Sequence, residues 1–81
     1  MTFKGILLDG NNNLIECIET NKMNGAIEWF KGSYERRLHK EPSAQEIKSF
    51  YEFKDVVDTH IVVRQFPPTE EKEVKLIWRL C

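Results

Sequence analysis

The sequence contains no long apolar run: no uninterrupted apolar stretch in its 81 residues exceeds three, as in Ile6 to Leu8. A transmembrane helix requires about 20 such residues, so no membrane span is predicted. The opening "MTFKGILLDG" also lacks the apolar core and the small-residue cleavage site of a secretory signal peptide. We therefore predict a cytoplasmic location, in which Cys17 and Cys81 are both reduced.

The sequence also lacks an excess of charge of either sign. Its 12 Lys and Arg residues nearly balance 13 Asp and Glu residues, which leaves a formal net charge of −1. Such a balance provides no long-range attraction to nucleic acid or to an anionic membrane. Electrostatic recognition of a partner would have to come from a local patch of charge.

Glycine, cysteine and histidine are scarce, and their spacing matches no cofactor or metal motif. The four glycines form neither G-x-G-x-x-G nor G-K-[ST], which excludes a known loop motif for cradling phosphate. The cysteines and histidines have the chemistry of zinc ligands but not the close spacing of a compact site. These residues are Cys17, His39, His60 and Cys81. We therefore predict no cofactor and no bound metal.

The segment "ILLDGNNNL" most invites a catalytic interpretation. An apolar strand that ends in Asp resembles the opening of the haloacid dehalogenase family, in which a second Asp follows two residues later. Asn11 stands at that second position here, and an amide cannot donate and reclaim a proton as a carboxyl group does. The family fold also requires a chain far longer than 81 residues. We therefore interpret Asp9 as a turn residue and predict that the protein is not an enzyme.

Hydrophobic patterning predicts two strands, "FKGILL" and "LIECIE", on either side of this turn. Asp-Gly and Asn residues tolerate the positive φ that a tight hairpin requires. The alternation does not reveal which face of the strands is the core, because both faces carry apolar residues. One predicted face has Ile6, Leu8, Ile15 and Cys17, and the other has Leu7, Leu14 and Ile18.

A helix is predicted to follow, because apolar residues recur there at helical spacing as one stripe. The stripe consists of Met23, Ile27, Phe30, Tyr34 and Leu38. Asn21 or Asn24 is the expected N-cap. The helix should end before Pro42, which disfavours helical geometry at Glu41.

A second helix is predicted from a capping box, in which Ser43 precedes Glu46 by three residues. Its apolar residues are Ile47, Phe50 and Tyr51, and it should extend to Lys54.

Two further strands are predicted from "VVDTHIVVRQF" and "EVKLIWRL", separated by a polar turn at "PPTEEK". In the last strand, one face carries Val74, Leu76, Trp78 and Leu80. The sequence thus predicts one small α+β domain over residues 1–81, in ββααββ order. Its antiparallel sheet should be packed by both helices on one face. The order of strands within the sheet does not follow from the sequence.

Trp29 is the first candidate for contact with a partner. It lies roughly 140° from the centre of the apolar stripe on an ideal helix of 3.6 residues per turn, close to Ser33 and Arg36. Trp and Arg are enriched at protein-binding hot spots. In the alternative interpretation, Trp29 packs under a neighbouring loop or against the second helix.

The segment "KGSYERRLHK" is the second candidate, because it is rich in basic side chains. Basic residues near a helix C-terminus also interact favourably with the helix dipole, which explains them without any partner. If they do bind an anionic partner, Arg37 and Lys40 extend the surface around Trp29. Nucleic acid is one such partner, with Tyr51 or Phe53 available for base stacking.

We therefore predict a non-enzymatic protein-interaction module, such as a small inhibitor or regulator of the accessory or phage type. Its partner is expected to be another protein, and a homodimer is an option. The predicted partner-binding residues are Trp29, Ser33, Arg36, Arg37 and Lys40. The alternative is a nucleic-acid-binding module that uses the basic end of the first helix, with binding that weakens steeply with salt.

Overall fold

A computed structural model describes residues 1–63 and 71–81 of the chain. This part of the chain forms strands β1 (Phe3–Asp9) and β2 (Leu14–Thr20), helices α1 (Met23–Leu38) and α2 (Ala44–Tyr51), and strands β3 (Val56–Val63) and β4 (Glu71–Leu80). The predicted α+β class and ββααββ order are confirmed. The predicted "RQF" end of the third strand and most of the "PPTEEK" turn lie outside the described residues.

The strands form an antiparallel sheet in the order β2-β1-β4-β3, so the first and last strands of the chain are neighbours at its centre. In the register, Trp78 of β4 lies between Leu7 of β1 and Val56 of β3. These three residues are buried. Because residues directly opposite each other in a sheet point to the same side, this row fixes the core face.

The hairpin between β1 and β2 is built around Asp9. Its Oδ1 accepts hydrogen bonds from the backbone N–H groups of Asn11, at 2.8 Å, and of Asn13, at 2.9 Å. Asn12 has φ 62°, the left-handed conformation that an Asn adopts more readily than most residues. The backbone hydrogen bond from Asn13 is the main cause that holds the pKa of Asp9 below its usual value. Asp9 therefore has the predicted role in the turn.

Helix α1 begins without a side-chain cap. The N-cap is Lys22, and neither predicted cap, Asn21 or Asn24, occupies that position. The helix ends at Leu38, where His39 adopts φ 57° and donates its backbone N–H to the carbonyl of Glu35. A helix with a poor start is stabilised mainly by the packing of its apolar face.

Helix α2 has the predicted capping box. The Ser43 hydroxyl accepts from the backbone N–H of Glu46 at 3.1 Å, and the Glu46 carboxylate accepts from the backbone N–H of Ser43 at 2.9 Å. The helix ends at Tyr51, three residues before the predicted Lys54. The chain turns away there because Phe53 adopts φ 63°.

The core lies between the helices and one face of the sheet, where aromatic rings from α1, α2 and β4 meet. The Phe30 ring is stacked on the Phe50 ring with centroids 4.4 Å apart, and it meets the Trp78 ring edge-on at 5.9 Å. Tyr34 lies 5.1 Å from Trp78 between ring centroids. The predicted packing of both helices onto one face of the sheet is confirmed.

Candidate functional site

Trp29 packs against the sheet instead of standing on an outer flank of α1. It is partly buried against the core. Its ring covers Gly5 of β1 so closely that a Cβ atom at Gly5 would lie 2.7 Å from Trp29 Cε3 and Cζ3. The Trp29 ring also lies 6.3 Å from the ring of Phe50 on α2, between centroids, which agrees with the alternative interpretation that it packs against the second helix. The contact with β1 did not follow from the helical periodicity, because it depends on the missing side chain at Gly5.

The Trp29 indole donates its Nε1–H to Oε1 of Glu16 on β2, at 3.0 Å. The same carboxylate accepts from the Ser33 hydroxyl at 3.2 Å and from Arg36 Nη2 at 2.6 Å, and Arg37 Nη2 lies 3.6 Å from it. We call Glu16, Trp29, Ser33, Arg36 and Arg37 the Glu16 cluster. It ties the outer strand β2 to α1.

Ser33 links the Glu16 cluster to the core. Its side chain is fully buried, and its hydroxyl accepts a hydrogen bond from Trp78 Nε1 at 3.0 Å while donating to Glu16. The structure thus brings together most of the predicted partner-binding residues, through contacts within the chain. Lys40, the remaining one, is exposed beyond the end of α1.

The basic end of α1 borders a shallow groove lined by Gly32, Glu35, Arg36 and His39. Arg36 is 63% exposed in its side chain but is already paired with a carboxylate, as its 2.6 Å contact with Glu16 shows. Pairing of this kind reduces the positive potential that the segment offers to an anionic partner.

A second polar cluster lies between α1, α2 and β3. The Tyr34 hydroxyl is 2.9 Å from Oε2 of Glu46 and 2.9 Å from Oδ2 of Asp58, so the carboxylates share its single proton. Burial is the main cause that raises the pKa of Tyr34 well above its usual value, and the hydrogen bonds to Asp58 and Glu46 add to it. No local pattern in the sequence indicates this cluster, because its members are 12 and 24 residues apart along the chain.

Among the described residues, the side of the sheet opposite α1 and α2 carries the most exposed apolar side chains, and we call it the open face. In the register, Leu8 of β1 lies opposite Leu14 of β2 and Ile77 of β4, and Ile77 lies opposite Val57 of β3. Cross-strand neighbours share a side of the sheet, so these residues form one apolar row from β2 to β3. Leu14 is 59% exposed and Val57 is 50% exposed at the two ends of the row, whereas Ile77 is half-buried and Leu8 is buried. Among the described residues, no helix lies over this row.

Further apolar residues flank this row. Ile6 and Cys17 face each other on β1 and β2, and Ile61 on β3 is 52% exposed. A register shift between Leu7 and Leu8 places Leu14 on the open face, although its spacing of four residues from Ile18 predicted that it shares the other face with Ile18. The apolar residues on both faces of the first strands were the sequence signal for this surface.

Charged residues of both signs border the apolar row. On one side, Arg79 donates from Nε and Nη2 to the Asp55 carboxylate at 2.9 Å, which holds the pKa of Asp55 below its usual value. Lys4 and Glu19 form a register pair further along the strands. The open face therefore has an apolar centre and a rim of mixed charge, which is the general anatomy of protein interfaces.

The potential metal ligands do not assemble. Within residues 1–63 and 71–81, no group of three His, Cys, Asp or Glu side chains is arranged to hold a metal ion. The rings of His39 and His60 lie 6.4 Å apart, whereas Cys17 and Cys81 are exposed free thiols. In the part of the chain that the structure describes, neither α1 nor α2 is long and apolar enough to cross a membrane.

Comparison of the chain with protein-family models, with curated proteins and with solved structures finds no match.

Proposed function

We propose that the protein is a non-enzymatic protein-interaction module that docks a protein partner on its open face. The observation that carries this proposal is the apolar row from β2 to β3. An antiparallel sheet with one solvated face usually has polar residues at outward positions. Here Leu14, Leu8, Ile77 and Val57 occupy those positions. Exposed apolar side chains at both ends of such a row, as at Leu14 and Val57, are typical of interaction sites.

The chemistry of the open face defines the kind of partner it would fit. The partner should offer an apolar patch to the central row and charges of both signs to the rim, near Arg79, Asp55 and Lys75. A polyanion would find few unpaired cations there, and Arg36 and Arg37 at the end of α1 lie against Glu16. Protein is therefore favoured over nucleic acid as the partner.

The finer features of this function are part of the same proposal. A chain of 81 residues with a single core suits a small inhibitor or regulator better than an enzyme with a deep cleft. The exposed thiols of Cys17 and Cys81 suit the reducing environment of a cytoplasm. Within the Glu16 cluster, the exposed Arg36 remains a predicted contact at the edge of an interface, as does Lys40.

The test is retention of proteins from a lysate of the native host by immobilised wild type and by matched variants. Val57→Glu places a charge in the apolar row, whereas Tyr51→Glu places it on α2, where Tyr51 is 41% exposed. We expect Val57→Glu to retain at least about tenfold less of the specific partner, because a buried unpaired charge costs several kcal/mol. Tyr51→Glu should retain the wild-type amount.

Equal retention by Val57→Glu and wild type would exclude the open face as the docking site. Retention that disappears after nuclease treatment would assign the binding to nucleic acid instead.

A further inference from the structure

We infer that the partner on the open face is a second copy of this chain, packed sheet against sheet so that the helices lie on the outside of the dimer. This inference rests on the proposed function, since it names the occupant of the same surface. Three features of the open face favour a second copy: its charge balance, the complementarity of its register with itself, and its area.

The charges that border the apolar row cancel. Within residues 3–20, 55–61 and 73–79, the positive side chains of the open face are those of Lys4, Lys75 and Arg79, and the negative ones are those of Glu19, Asp55 and Glu73. A surface with a large net charge would repel its own copy, and electrostatic complementarity would then select a different partner. The balanced open face has no such repulsion.

The order of the strands makes the open face complementary to itself. A two-fold axis parallel to the strands, between two stacked sheets, places β2 over β3 and β1 over β4. Leu14 then faces Val57 of the second copy, and Leu8 faces Ile77 of the second copy, because these residues share one register row. Residues of one sheet interdigitate with those of the other in aligned packing of this kind.

The positions of the charged residues favour one of the two simplest two-fold axes over the other. The axis parallel to the strands places Arg79 over Ile6 of the second copy, where its aliphatic stem can pack. A two-fold axis along the apolar row instead places Arg79 over Lys75 of the second copy, which brings like charges together. The arrangement parallel to the strands is therefore the favoured one.

The available area fits a reversible dimer. Four strands about 4.8 Å apart and about seven residues long span roughly 450 Å² in projection on each copy. The total area buried by two such faces, including the uneven surface of their side chains, approaches the lower limit of about 1,000 Å² for a specific interface. We therefore expect dissociation in the micromolar range.

Analytical ultracentrifugation of the full chain at about 100 μM tests the inference, a concentration well above a micromolar dissociation constant. The wild type should sediment as a dimer. Leu14→Glu and Val57→Lys should each raise the dissociation constant at least about 100-fold, because each places an unpaired charge in the apolar row. Tyr51→Glu, which changes an exposed residue outside the sheet, should remain dimeric.

The double variant Leu14→Glu/Val57→Lys separates a lost contact from a damaged fold. Its new charges are opposite across the proposed two-fold axis, so dimerisation should recover at least tenfold relative to either single variant. They cannot pair within one sheet, because three strand spacings of about 4.8 Å separate β2 from β3. Circular dichroism should show that each variant is folded.

Two results would overturn the inference. One is a wild type that is monomeric at this concentration. The other is a dimer that survives Leu14→Glu or Val57→Lys, which would place its interface at a strand edge or on a helix. If the wild type is monomeric but Val57→Glu still loses protein capture, only the inferred dimer is ruled out and the proposed function is supported. If the wild type is monomeric and Val57→Glu captures as much protein as the wild type, both the inferred dimer and the proposed function are ruled out.

Discussion

Trp29 shows how one missing side chain changes the role of a residue on another element. Because Gly5 has no Cβ atom, the six-membered ring of Trp29 lies directly on the backbone of β1. That contact brings the indole Nε1–H to Glu16 on the neighbouring strand. This arrangement requires α1 to lie across β1 and β2. The position of Trp29 on a helical wheel carries no information about that packing, so it could not predict the contact.

We expect Trp29→Ala to lower the free energy of unfolding by roughly 2–4 kcal/mol, because it removes packing on Gly5 and a hydrogen bond to Glu16. If Trp29 were instead a partner contact on the outer flank of α1, the same change would leave the fold intact and lower partner affinity. Urea denaturation of the wild type and the variant measures the change. In a double-mutant cycle, Gly5→Ala should cost less stability in the Trp29→Ala background than in the wild type. An unchanged denaturation midpoint for Trp29→Ala would contradict the packing described here.

Tyr34 gives the folded state a dependence on alkaline pH. The pKa of its phenol is raised in the folded chain, so the folded state keeps this proton at pH values where the unfolded state has lost it. Linkage then requires that stability falls as pH rises above about 10, the pKa of an unfolded tyrosine.

Tyr34→Phe should remove this part of the alkaline destabilisation. It should also cost roughly 1–3 kcal/mol at neutral pH, because Glu46 and Asp58 lose the shared hydroxyl donor. Urea midpoints for both proteins between pH 7 and about pH 11, on either side of the tyrosine reference value, measure both effects. Parallel pH profiles for Tyr34→Phe and the wild type would refute the assigned role of the cluster.

At the scale of elements, predictions succeeded where the signal was local. The capping box of α2 is contained in Ser43 to Glu46, and the structure has it as predicted. The start of α1 has no comparable signal, and the predicted Asn caps are not used. The end of α2 depends on the left-handed conformation of Phe53, which the apolar periodicity does not encode.

Ser43→Ala should lower the free energy of unfolding by about 1 kcal/mol, the usual cost of a lost N-cap. The substitution leaves the backbone N–H of Glu46 without its side-chain partner. Gln45→Ala, an exposed substitution in the same turn, is the matched control and should change stability by less than about 0.5 kcal/mol. Thermal denaturation of the three proteins measures both changes. Equal melting temperatures for Ser43→Ala and the wild type would show that the cap contributes nothing to the stability of α2.

In the molecule as a whole, the period of the apolar residues predicted the fold class. Contacts between elements that are distant along the chain determine the strand order and the Glu16 cluster. The order β2-β1-β4-β3 joins the first strand of the chain to the last, a pairing that no local pattern specifies. The Glu16 cluster joins Glu16 to residues 13 to 21 positions further along the chain, and no local pattern specifies these contacts either. The sequence indicated part of the open face, because apolar residues occur on both sides of β1 and β2.

In our proposal, the open face is the surface through which this protein binds, and a second copy occupies it. Methyl NMR spectra recorded during dilution from about 1 mM to about 10 μM test it residue by residue, across the expected micromolar dissociation constant. Methyl signals of Leu14, Val57 and Ile77 should shift together with concentration, while those of Ile27 and Ile47, which pack against the core, should stay in place. Shifts confined to the helices, or spectra that do not change on dilution, would contradict the claim.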